Sequence, residues 1–61
     1  MIIHLFIQWF ERNPDMSIDY TKEHHGTVSG ETPAECMAQF RSLAYNHDLV
    51  KFSPMTIVEI Y

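Results

Sequence analysis

Sixty-one residues with eight acidic and four basic side chains carry a net charge of −4, which leaves room for one domain spanning residues 1–61. Arg12, Lys22, Arg41 and Lys51 are dispersed along the chain, which excludes the clustered cations a stand-alone nucleic-acid binder needs. Cys36 is the only cysteine, so no disulfide within the chain can brace a core that, at this length, buries only about 60% of the unfolded surface.

Residues 2–10 are rich in β-branched and aromatic side chains, the composition of a strand. Alternation puts Ile3, Leu5, Ile7 and Trp9 on one face and Ile2, His4, Phe6, Gln8 and Phe10 on the other. One set is wholly apolar and the other is mixed, as expected of a central strand with one buried and one half-covered face. Asn13-Pro14-Asp15 is a turn signal, because proline presets φ and Asn and Asp hydrogen-bond nearby backbone. A second extended segment follows over 17–29. Its polar middle, residues 21–25, suits an edge strand, and Gly26 is the expected position of a bulge.

Thr32-Pro33-Ala34-Glu35 is the strongest local signal. Threonine is the N-cap, proline the first helical residue, and Glu35 completes a capping box. The helix runs to about residue 46 with Cys36, Met37, Phe40, Leu43 and Ala44 on one stripe, aimed at the Ile3/Leu5/Ile7/Trp9 face. A connection over 47–54 tucks Leu49 and Phe52 beneath it, and residues 55–61 form the last strand. Right-handed, short connections then place that strand on the far side of the first. The expected fold is α+β, β-β-α-β, with a three-stranded antiparallel sheet in order 2-1-3 and one helix on one face.

With the helix on one face, the other presents His4, Phe6, Gln8, Phe10, Ile57 and Tyr61. A contiguous apolar patch of this kind marks an interaction site, most simply in a two-fold homodimer, with a partner protein as the alternative. Aromatics on an open sheet also suit RNA stacking, but the acidic balance opposes it, so a nucleic-acid role is expected only of a dimer that gathers the dispersed cations.

Residues with chemical potential lack a constellation. His24 and His25 are neighbours on a strand and point to opposite faces, and His47-Asp48 lies elsewhere, so no metal and no cofactor is expected. Cys36 sits on the core stripe, where a thiol is inert. Gly26 and Gly30 lack the Lys-Ser/Thr ending of a phosphate loop. No serine–histidine–acid set is spaced for catalysis, and the chain is expected not to be an enzyme. The longest apolar stretch, residues 1–10, is too short to span a bilayer, which takes about 20 residues. With a lone thiol and no secretory leader in view, the expected localisation is cytoplasmic.

The stretch Gly26-Thr27-Val28-Ser29-Gly30-Glu31-Thr32-Pro33-Ala34-Glu35 resembles HicB-type antitoxins, in which a hairpin leads through a Gly/Ser-Gly-Asp/Glu-Thr segment into a helix. The likeness covers about ten residues and the order of elements. The family's Pro-Asp-Leu-Pro-Gly run before this stretch is absent, as is a DNA-binding segment after it. The resemblance implies a dimerising domain that masks a partner protein, and implies no catalytic residues.

Overall fold

A computed structural model describes residues 1–61. Strands β1 (Ile3–Arg12) and β2 (Ile18–Gly30) form a hairpin, helix α1 (Pro33–Tyr45) crosses over, and β3 (Thr56–Ile60) returns beside β1. Both pairings are antiparallel and the order is β2-β1-β3, the expected α+β topology.

The hairpin turn is built by short polar side chains. Asn13 N–H donates to the Ser17 carbonyl at 2.8 Å, and the Asp15 carboxylate accepts from the Ser17 amide at 3.0 Å and its hydroxyl at 2.6 Å. These bonds hold Met16 at φ 75°, a left-handed conformation that costs a non-glycine residue about 1–2 kcal/mol. The same bonds hold the Asp15 carboxyl below its ordinary range. A second device of this kind follows at once. Asp19 accepts from the Thr21 amide and hydroxyl, and the ladder slips so that Glu11 faces Asp19 while Phe10 faces Glu23. The bulge therefore lies at 19–23, not at Gly26, which keeps regular register opposite Ile7. Gly26 has another use: a Cβ there would meet the Trp9 ring at 3.2 Å, so its bareness lets the indole lie over the strand.

The partner on the other edge of β1 comes in two pieces. Ser53 donates its amide to the Phe10 carbonyl at 2.8 Å, and its hydroxyl accepts the Phe10 amide at 2.9 Å, standing in for a ladder carbonyl. Ser53 is accordingly buried at no polar cost. Pro54 and Met55 interrupt, and β3 then continues to Tyr61, which exchanges both backbone bonds with His4. A second register shift lies between Phe6 and Ile7. It leaves Val58 unpaired and sets Ile57 opposite Ile7.

Helix α1 starts as its sequence dictates. Thr32 is extended and its hydroxyl accepts the Glu35 amide at 3.2 Å, while the Glu35 carboxylate accepts the Glu31 amide, one residue before the cap. This cap stabilises the helix by about 1 kcal/mol. Asn46 closes the other end, its side-chain amide donating to the Ser42 carbonyl. The core is Leu5, Ile7, Val28 and Cys36, flanked by Ile3, Trp9, Met37, Phe40 and Met55. Leu43 and Leu49, both expected inside, are 44% and 51% exposed. For Leu43 the reason is geometric: α1 lies across β2 and β1 and does not approach β3, so only the first half of its apolar stripe has a surface to bury against.

Gly30 is where helix and sheet come closest. A Cβ there would lie 2.9 Å from Glu35 Cβ and 3.1 Å from the Cys36 amide nitrogen, atoms of the first helical turn that have no flexible end to move. Gly30→Ala is expected to cost about 1–3 kcal/mol in urea unfolding. Gly26→Ala, which meets only side-chain atoms, the edge of the Trp9 indole at 3.2 Å and Ile7 Cγ1 at 3.3 Å, is expected to cost less.

Candidate functional site

The open face of the sheet is set by the even positions of β1 and their partners. Phe6 is met edge to face by Tyr61, with centroids 5.4 Å apart, and Phe10 by Tyr20 at 5.0 Å. Between these pairs run polar contacts. His4 Nδ1 and Ser29 Oγ are 2.9 Å apart, the Gln8 amide donates to Glu23, and His25 Nε2 lies 3.5 Å from the Glu23 carboxylate. His4, Phe6, Gln8, Phe10 and Tyr61 thus share one face, as their alternation and pairings require. Ile57 does not join them. The shift at Val58 pairs it with Ile7, whose side chain is in the core, so Ile57 belongs to the helix side. A period-two reading of residues 55–61 cannot see that extra residue.

Tyr61 donates its phenol to the Glu59 carboxylate. That hydrogen bond, with the charge of Glu59, raises the Tyr61 pKa above its usual value of 10.0. A group whose folded pKa lies above the unfolded one contributes fully below pH 10 and loses that contribution as pH rises through the folded value.

The helix-side face carries a cluster that local sequence reading passes over. Trp9 stacks on His24 (centroids 5.8 Å apart, planes 9° apart) and meets His47 edge to face at 5.7 Å. Phe52 closes the ring of four, stacked on His47 at 5.5 Å and edge to face with His24 at 5.7 Å. His24 Nε2 lies 3.0 Å from the Glu11 carboxylate, and His47 Nε2 donates to the Ser53 carbonyl at 2.8 Å. The latter bond fixes the Nε2–H tautomer of His47. His24 and His47 are therefore half-buried wedges between aromatic rings. They pin residues 47–53 to the hairpin, aided by Arg12, whose Nε donates to the carbonyls of Leu49 and Phe52. The signal that could have found them is the Trp9–His24 cross-strand pairing, which follows only once the hairpin register is known.

No group of three or more His, Cys, Asp or Glu side chains is placed to hold a metal ion. His25 points to the open face and His24 to the other, as neighbours on a strand must. Asp48 accepts the backbone amides of Val50 and Lys51. Cys36 is buried, its thiol 3.5 Å from the Ile3 carbonyl. No helix is long and apolar enough to cross a membrane. No protein-family model, curated protein or solved structure matches the chain.

Removal of the Glu59 charge tests the Tyr61 contact. In a spectrophotometric titration, the raised pKa of Tyr61 is expected to shift down toward 10 in Glu59→Gln.

Proposed function

We propose that this chain is a non-enzymatic protein-interaction module that self-associates through its sheet. The observation that carries the reading is how little the fold covers. Its Cα atoms span 43 × 20 × 10 Å, and five residues of 61 are buried. Its accessible surface is 4432 Å², against roughly 4,100 Å² for a compact monomer of this mass. A sheet with one helix layered over two strands leaves apolar surface that a second protein surface is suited to cover.

The alternative of a nucleic-acid accessory protein has less support. Of the four cationic side chains, Arg12 is held by the carbonyls of Leu49, Phe52 and Met16, and its guanidinium is thereby turned into the fold. Phosphate neutralisation calls for several free cations together.

Sedimentation equilibrium over a range from low to high micromolar protein tests self-association. The expected result is a mass that rises from one chain toward two, with a midpoint insensitive to salt. A constant mass of 7.2 kDa at high micromolar concentration refutes the reading.

A further inference from the structure

The two edges of this sheet are not alike. The outer edge of β2 carries Asp19, Lys22 and Glu23 beside a bulge, devices that discourage strand addition. The edge at β3 carries one charge, Glu59, already held by the Tyr61 hydroxyl, and every residue of the strand is exposed. Because α1 stops short of β3, a groove of about 260 Å³ opens beside it, floored by Ile3, Leu5 and Ile60 and walled by Met37 of the helix.

Accepting that the chain self-associates, we propose that β3 is the interface, pairing antiparallel with β3 of a second copy about a two-fold axis normal to the sheet. Three observations select that occupant. The first is area. Ile57, Val58, Ile60 and Tyr61 are 37%, 52%, 64% and 66% exposed. Together they present on the order of 400 Å², about half of the roughly 800 Å² per partner of a standard interface. The edges of Thr56 and Glu59 and the groove walls lie within the same footprint. The second is closure. Pairing β3 with β2 of another copy would be head to tail and open-ended, and the charged, bulged edge of β2 opposes it, whereas β3 with β3 closes on itself. The third is the state of the rival surface. On the open face each phenylalanine is already covered by a tyrosine and the polar side chains between them bond one another. In the paired sheet both helices lie on the same side, and Ile57 and Ile60 of each copy extend the apolar floor of the other's groove.

The backbone supplies a direct probe. His4 and Tyr61 exchange both of their bonds, so the next pair, Leu5 and Ile60, is the one whose amides point away from each other. The Ile60 amide therefore lies on the free edge. The experiment compares wild type, Val58→Lys and, as an open-face control on β2, Tyr20→Lys by sedimentation equilibrium and circular dichroism, and follows Ile60 amide exchange in the wild type with concentration. Val58→Lys is expected to weaken the dimer at least tenfold with an unchanged spectrum, and Tyr20→Lys to leave it within about twofold. Ile60 exchange is expected to slow at least tenfold between the monomeric and dimeric concentration ranges. A wild-type dimer that survives Val58→Lys, or an Ile60 amide indifferent to concentration, overturns the β3 interface while self-association stands. A wild type that stays monomeric removes both. Should Val58→Lys lose its spectrum, the Ile60 measurement on the wild type decides alone.

Discussion

A strand satisfies its own backbone only where neighbours flank it, and in this molecule β1 is flanked along both edges. β2 follows it from Ile3 to Arg12, and residues 51–61 follow the other edge in two pieces, joined at Ser53 by a side-chain oxygen that does the work of a carbonyl. That double pairing fixes the plane in which the alternating side chains point. Leu5 and Ile7 are driven beneath the helix because no other direction is open to them, and both are 2% exposed. Burial of each contributes about 1.5–3 kcal/mol. With so few residues buried, the hydrogen-bonded frame and the few side chains locked to it carry a large share of what specifies the fold.

Much of this frame was legible from residues alone. The two-faced composition of residues 2–10 named the central strand, and Thr32 through Glu35 named the helix start, because both signals are local and have a mechanism. The bulges were not legible. Asp19 draws in the Thr21 amide by a bond that competes with the ladder, and Val58 is simply one residue too many for its partner. Strict alternation assumes an unbroken register and puts Ile57 on the open face, whereas its pairing with Ile7 puts it on the helix side. Leu43 and Leu49 fit an apolar pattern but find no second layer to enter, and a pattern cannot report how far a helix reaches across a sheet.

The histidines show the same limit from another side. His24 and His47 look like solvated side chains in their own segments. Their surroundings come from Trp9 and Phe52, each distant in the chain, and from Glu11 across the hairpin. Four rings closed on one another make a contact beside the aliphatic core, and they tie a long connection to the sheet. The contrast with the groove beside β3 is plain: one end of the helix-side face is filled by aromatic rings, and the other is left empty.

The spacing of the pairings also bears on how the chain is gathered in. Arg12 meets Ile18 across a short turn, while Gln8 meets Thr56 and Leu5 meets Ile60 only after nearly the whole chain has been gathered in. Loop closure is slower and costlier over the longer separation. Chain entropy therefore favours closing the hairpin before β3 is gathered in, and a hairpin closed alone leaves one edge of β1 bare. Until β3 docks, β1 itself is an unpaired apolar template. The segment that completes the sheet is thus also the one that shields the nascent hairpin from its neighbours.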